Sequence, residues 1–354
     1  MKLIKLLKTT NMNRSLLIGY YGGGNYGDEL LLEVLANLLV KHGVKDATIT
    51  YQDPAHYSDY HNDFGYPRID IRSKTQLLSA IFKNKNILIG GGGLWGVDMN
   101  FNTFLLSCML LGSRLLGKKV YLLGVGYYNS TNRLGHVAAW LAGKAAHTII
   151  GRDPETVQNF AAHNPRTYLD SDIAWHSKDL DLTAYNDAVA ELEAKLHITG
   201  KTLCITLRRP QAKHRQQEFI RYAEEVGAFI AANQDQPILL ALLESETKSP
   251  AEYARAREWR RLYPNVQLLD FPHNPLALYL LFQKRHQQLA VIGPQFHIIM
   301  TAHLTGAAFM PLVYDNKVAA LFTNLSIPEA EHISLAAVRR DHMQEFADNF
   351  FGGR

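Results

Sequence analysis

Short apolar runs alternate with helix-period stretches along most of this chain. Runs with strand character occupy 15–21 (SLLIGYY), 47–52, 86–91 (NILIGG), 119–126 (KVYLLGVG), 147–152 and 166–172. Between most of them lie stretches such as FNTFLLSCMLLGSRLLG and RLGHVAAWLAGKAA, whose apolar residues recur every three to four positions. This rhythm predicts a parallel sheet wrapped by helices on both faces. A polar stretch at 176–188 (HSKDLDLTAYNDA) interrupts it and is the best linker candidate. The alternation then restarts, with strand-like runs at 201–208, 237–243, 266–271, 288–293 and 307–314. The expected fold class is α/β, with two Rossmann-like domains facing a cleft. The boundaries expected are 1–180, 181–325 and a helical tail at 326–354, with Pro328 near the start of its helix.

A length of 354 residues agrees with two cores rather than one. Apolar residues make up 47% and charged residues 20%, an ordinary globular balance. The formal charge of +4 suits anionic small substrates or an anionic lipid surface. It does not point to nucleic acid, because no dense Lys/Arg run with interleaved aromatics is present. Cys108 and Cys204 lie far apart in apolar runs and read as reduced, buried thiols. The first fifteen residues have no long apolar region and no small-residue cleavage site, so no signal peptide is expected. No apolar run reaches the length of a membrane span.

Glycines mark three predicted strand ends. In the first loop, GYYGGGNYGDE, Gly22, Gly24 and Gly27 satisfy G-x-G-x-x-G. Asp28 and Glu29, however, stand where a helix N-terminus would receive a pyrophosphate, and they repel an added anion. No Gly-Lys-Ser/Thr closes the loop, so it is not a Walker A element. Read as a turn, it is a tight bend with an acidic first helical turn. Read as a site, it offers Asn25 and Asp28 to neutral hydroxyls. The second loop holds Gly90, Gly91, Gly92 and Gly93, followed by Asp98. Four glycines in a row suggest close approach of backbone to a ligand, or an amide nest. Gly124 and Gly126 form the third break.

The second half carries basic tips instead. Arg208 and Arg209 follow a predicted strand and precede Pro210, a placement suited to a phosphate or carboxylate. A solvated basic turn is the alternative. His297 opens a helical pattern after Gly293-Pro294 and could be structural or could work beside the helix amides. No Cys/His group has zinc spacing. His303, six residues on, falls on a different helical face.

These pieces together resemble the polysaccharide pyruvyl transferase family. The residues that carry the resemblance are GNYGDELLLEVL (24–35), IGGGGLWGVD (89–98), GRDPETVQNF (151–160), LDSDIAW (169–175), ITLRR (205–209) and GPQFHIIMTAHLTGAAFMPLVYDNKVAAL (293–321), in family order. The resemblance implies a GT-B-like glycosyltransferase architecture. It also implies phosphoenolpyruvate as co-substrate, with no metal and no cofactor. A sugar hydroxyl pair, free or lipid-linked, would receive pyruvate as a ketal on a surface polysaccharide, an exopolysaccharide or a precursor. The first domain would hold the acceptor and the second the donor, in the cytoplasm or at the inner face of the membrane by peripheral contact. In this reading His297 is the catalytic acid or base and Arg208 the donor clamp. Arg209, Gln295, Phe296, Asn25, Asp28, Gly91, Gly92, Gly93 and Asp98 are the substrate-binding candidates. One departure stands out: the family usually carries Arg-x-His where this chain has Gln295-Phe296-His297. Glutamine lacks the fixed charge that would pair with phosphate. Two other readings stay open: a nucleotide-sugar glycosyltransferase, with Glu244 or Glu246 as ribose ligand, and a non-catalytic glycan-binding relative.

Overall fold

The computed structural model describes residues 2–52, 57, 61–95, 101–128, 133–208, 215–271 and 273–352. The chain divides into two compact units. One comprises Met1–Gly23 and Asp28–Leu180, the other Gly24–Gly27 and Asp181–Arg354.

In the first unit the chain runs α1 (Lys2–Thr9), β1 (Ser15–Ile18), α2 (Tyr26–Lys41), β2 (Ala47–Tyr51), β3 (Arg68–Asp70), α3 (Lys74–Lys83) and β4 (Asn86–Gly90). It continues through α4 (Phe101–Leu115), β5 (Lys119–Val125), α5 (Arg133–Ala145), β6 (Thr148–Gly151), α6 (Pro154–Ala161) and β7 (Thr167–Leu169). The first two residues of α2 pack with the second unit. All seven strands are parallel, in the order β3-β2-β1-β4-β5-β6-β7. Central strands β1 and β4 are buried along their whole length, which is why they read as continuous apolar runs. Leu16, Ile18, Ile87, Ile89, Val120 and Leu122 point to one face and meet Ile81 of α3, Leu110 of α4, Ala142 of α5 and Phe160 of α6. Each fully buried Leu, Ile or Phe contributes roughly 1.5–3 kcal/mol.

The second unit holds α7 (Asn186–Leu196), β8 (Thr202–Thr206), α8 (Gln216–Ala232), β9 (Ile238–Ala241), α9 (Pro250–Leu262), β10 (Val266–Leu269) and α10 (Pro275–Lys284). It ends with β11 (Leu289–Ile292), α11 (Phe296–Thr305), β12 (Ala308–Met310), β13 (Leu312–Val313), α12 (Asn316–Asn324), β14 (Ile333–Ser334) and α13 (Arg340–Gly352). Its five parallel strands follow the order β10-β9-β8-β11-β12. In both sheets the order reverses beside the first strand, between β1 and β4 and between β8 and β11. Ligands of such sheets bind outside the carboxyl ends at that reversal. The fold is thus α/β with two Rossmann-like units.

Several elements differ from the sequence reading. The polar stretch 176–188 does contain the division between the units, at Leu180–Asp181, but it is structured rather than open. It holds part of a 3₁₀ turn (Ile173–Asp179), a second one (Thr183–Tyr185) and the start of α7. Asp172 caps the first turn by accepting from the Ala174 amide at 3.0 Å. The run 307–314 is two strands, because Pro311 has no N–H to continue a ladder; β13 pairs instead with β14. Residues 326–354 belong to the second unit rather than standing apart. The Arg340 amide donates to Glu225 of α8 at 2.8 Å, and Asn233 donates to Gln344 of α13 at 2.8 Å. Helix α1 and the three-residue edge strand β3 were not anticipated; α1 does show a helical stripe, with Leu3 and Leu7 buried one turn apart, whereas β3 is too short for a clear period.

Candidate functional site

The carboxyl tips of β8 and β11 lie side by side, since Ile205 is in register with Ile292. Gly293 runs so close to β8 that a Cβ there would overlap the Thr206 hydroxyl. Next comes Gln295, buried, at the N-cap of α11. Its amide Nε2 donates to the Leu207 carbonyl at 2.5 Å, and its Oε1 accepts from the Thr206 hydroxyl. Gln295 therefore clips the two strand tips together, and its side chain makes no cap bond to α11. The first-turn amides of α11 are left to partners other than their own N-cap side chain, an arrangement suited to an anion.

Arg208 leaves the tip of β8 half-buried. Its guanidinium lies 4.9 Å from the ring centre of Tyr314, which holds it in place by cation–π contact. Its Nε is buried and has no hydrogen-bond partner among the described residues. No carboxylate among the described residues forms an ion pair with it. A cation held in this way can take a carboxylate or phosphate at little reorganisation cost.

His297 is the second residue of α11, half-buried, with Phe296 edge-on at 5.0 Å between ring centres. Phe296 is itself buried. The imidazole also lies against the first glycine loop: a Cβ at Gly27 would overlap His297 Nδ1. Gly27 is thus glycine so that the histidine can sit against backbone.

The segment Gly24–Gly27 is docked on the second unit by a short antiparallel bridge. The Tyr26 amide donates to the Leu243 carbonyl at 2.8 Å, and the Ser245 amide to the Gly24 carbonyl at 2.9 Å. Gly24 has φ +69°, and a Cβ there would lie 2.6 Å from Ser245 Oγ. Asn25 donates through Nδ2 to Glu244 at 3.1 Å and accepts the Gly27 amide at 2.9 Å. Glu244 also accepts from Ser249 at 2.7 Å, and Glu246 pairs with Arg257 at 2.6 Å. The Tyr26 hydroxyl meets Thr301 of α11 at 2.8 Å. His273, beyond β10, packs against Tyr26 and Phe271. Burial holds its imidazole down to about 4, with the Asp270 carbonyl opposing and Lys195 adding slightly, so this ring is neutral.

In the first unit, Tyr21 donates to the Gly90 carbonyl at 2.9 Å, the Gly91 amide pairs with Leu123 at 2.8 Å, and the Gly126 amide with Gly92 at 2.9 Å. The three glycine loops follow neighbouring strands β1, β4 and β5. Gly93 is exposed and stands over Arg152, whose Nη2 would lie 3.4 Å from a Cβ at that position. Arg152 is buried at the tip of β6. It donates to Asp172 at 2.9 Å and to the Tyr128 hydroxyl at 2.9 Å, and Tyr128 donates to Asp153 at 3.0 Å. Sequence reading assigned no role to Arg152, although an arginine directly after an apolar strand (IIGRD) was a usable signal. Asp28 is half-buried in the first turn of α2. Its neighbour Glu29 accepts from the Gly22 amide at 3.1 Å and faces His61 Nε2 at 3.0 Å, while Glu33 faces His61 Nδ1 at 2.6 Å. Burial disfavours charge on His61, but hydrogen bonds to Glu29 and Glu33 outweigh it and raise the group to about 9.

Of the sequence candidates, Arg208, Gln295, Phe296 and His297 share the β8–β11 tips, and Asn25 is in the same unit. Asp28, Gly91, Gly92 and Gly93 belong to the other unit. Asp98 and Arg209 lie outside the described residues. Among the described residues, no three His, Cys, Asp or Glu side chains are arranged to hold a metal ion.

A family model described as polysaccharide pyruvyl transferase matches residues 25–316. No curated protein matches the chain. Among solved structures, the UDP-GlcNAc 2-epimerase of Methanocaldococcus jannaschii is similar at TM-score 0.62 and 10% identity, over 94% of this chain and 91% of that one. Its complex with UDP-GlcNAc and UDP gives TM-score 0.63 at 11% identity, over 96% and 93%. The S. aureus MnaA–UDP structure gives 0.60 at 12% identity, over 95% and 87%. At these identities the likeness is one of fold.

Proposed function

The chain belongs to the polysaccharide pyruvyl transferase family, and from that premise we propose that it transfers pyruvate from phosphoenolpyruvate to a sugar diol of a surface or exopolysaccharide, or of its precursor, forming a cyclic ketal. The observation that carries this reading is the placement of Arg208 and His297 just beyond two adjacent strands, β8 and β11, where the second sheet reverses its order. A proton goes to the methylene carbon of the enol phosphate. One sugar hydroxyl adds to the cationic carbon and gives up its proton. The second hydroxyl then displaces phosphate and closes the ring, and its proton leaves with the phosphate.

His297 moves the proton, as a positioned imidazole can. Arg208 and the α11 amides hold the donor's carboxylate and phosphate. Gln295 acts through β8: it fixes the tip that carries Arg208 and contributes no charge. A nucleotide-sugar reaction is less well supported, because Glu244 is engaged by Asn25 and Ser249 and Glu246 by Arg257.

The test is orthophosphate release from phosphoenolpyruvate with candidate sugar diols, alongside thermal stability with phosphoenolpyruvate or UDP added. Phosphate release that needs both substrates, and is lost in His297→Ala, is the expected result. Stabilisation by UDP alone, with no phosphate release, would overturn the reading.

A further inference from the structure

One face of the first unit is unlike the rest of the surface. Helices α3, α4 and α5 cover the same side of the sheet, where Ile81, Leu110 and Ala138 share one core. Their outer side is apolar. On α4, Phe101, Leu105, Cys108 and Leu115 recur at spacings of four, three and seven and are all exposed, Phe101 by 61% and Leu115 by 81%. Trp140 on α5 is exposed by 45% and Phe82 on α3 by 59%. A run of this kind exceeds the scattered apolar residues of an ordinary surface.

The charge on these three helices has one sign. Between residues 73 and 151 the sequence holds eight Lys or Arg and a single carboxylate, Asp98, which lies outside the described residues. Helices α3, α4 and α5 contain no Asp or Glu at all. Helices α7, α8, α9 and α13 of the second unit all carry carboxylates. Lys74 and Lys83 flank the exposed residues of α3, Arg114 stands at the end of α4 and Lys144 at the end of α5. Lys118 donates to the Phe82 carbonyl at 2.8 Å and so joins the α4–β5 turn to α3.

We propose that the α3–α4–α5 face docks on an anionic lipid bilayer, with the α4 stripe and Trp140 entering the interface and the lysines and arginines meeting lipid phosphates. No described helix is long and apolar enough to cross a membrane, so the contact is a surface one. A second copy of the chain would bring two cationic faces together and is disfavoured on charge. The proposal is independent of the chemistry at His297.

The test is flotation of the full chain with vesicles of phosphatidylglycerol and phosphatidylcholine, against phosphatidylcholine alone. Binding to the anionic vesicles, weakened by salt, is expected. Leu105→Glu with Trp140→Glu should lower that affinity by about tenfold or more, and Lys74→Glu with Lys144→Glu by a similar factor, since each cation near such a surface contributes about fivefold. These side chains are exposed, and circular dichroism melting checks that the variants fold. Cys108 supplies a second readout. It is exposed whereas Cys204 is fully buried, so an environment-sensitive dye labels Cys108 selectively and should shift to the blue on anionic vesicles. Equal binding to both vesicle types, unaltered binding by the variants, or a dye shift that follows protein concentration without lipid, as self-association would give, overturns the proposal.

Discussion

Both units repeat the same strand order around their first strand, yet their carboxyl tips handle charge in opposite ways. In the first unit every prominent buried charge is answered from inside. Arg152 meets Asp172 and Tyr128, and His61 lies between Glu29 and Glu33. In the second unit Arg208 rests on an aromatic ring with a buried Nε that no described residue satisfies. Buried charges that are already paired hold a fold in shape; a cation without an answering carboxylate is poised for a ligand. The same topology thus serves as a scaffold in one half and as the candidate site in the other.

That contrast can be broken most sharply at His297. His297→Ala should reduce kcat by about 10²–10⁴-fold while leaving donor affinity nearly unchanged, measured by single-turnover kinetics and calorimetry. If the variant keeps full activity, the second unit's tip is not the reacting site.

Next come the paired charges of the first unit. Arg152→Ala or His61→Gln should destabilise the protein by about 3–5 kcal/mol, because each leaves buried carboxylates uncompensated. Denaturant unfolding measures this. The His61 contribution also has a pH sign. Its folded value of about 9 stands above the ordinary 6.5, so the stabilisation is fully present below about 6.5 and is lost as pH rises through 9. The wild-type melting temperature should therefore fall on that alkaline side, and the fall should be smaller in His61→Gln.

A smaller effect separates the two arginines. Arg208→Ala should weaken phosphoenolpyruvate binding by about 1.5–3 kcal/mol with little loss of stability, the reverse of Arg152→Ala. Equal destabilisation by both would erase the comparison. The smallest effect is expected at Gly27→Ala. The added methyl must displace His297, at a cost of about 1–3 kcal/mol divided between stability and turnover. Crystallography of that variant would show the imidazole moved.

Much of the architecture was legible because buried parallel strands have to be apolar throughout. NILIG, KVYLLGV and TLCIT announce themselves, and the helices between them keep their period. The departures came where a local signal was weak or overruled. The run 307–314 looked like one strand until Pro311 divided it, and RID at 68–70 is too short and polar to stand out. The first glycine loop was legible as a poor phosphate cradle, since Asp28 and Glu29 already occupy the start of the helix.

The sequence alone determined the two α/β halves, the strand ends that carry Arg208 and His297, and the family. It could do so because hydrophobic period and motif order are properties of the linear chain. Only the tertiary structure decided what those residues touch. It set Gln295 across β8 and β11 as a clip, laid Gly27 against the imidazole, and drew Gly24–Gly27 away from the rest of its half to pair with Glu244 and Ser245. It also paired Arg152 with Asp172 and left Arg208 stacked on Tyr314. Pairing across twenty to more than two hundred residues depends on strand order and register, and no local pattern in the chain encodes either.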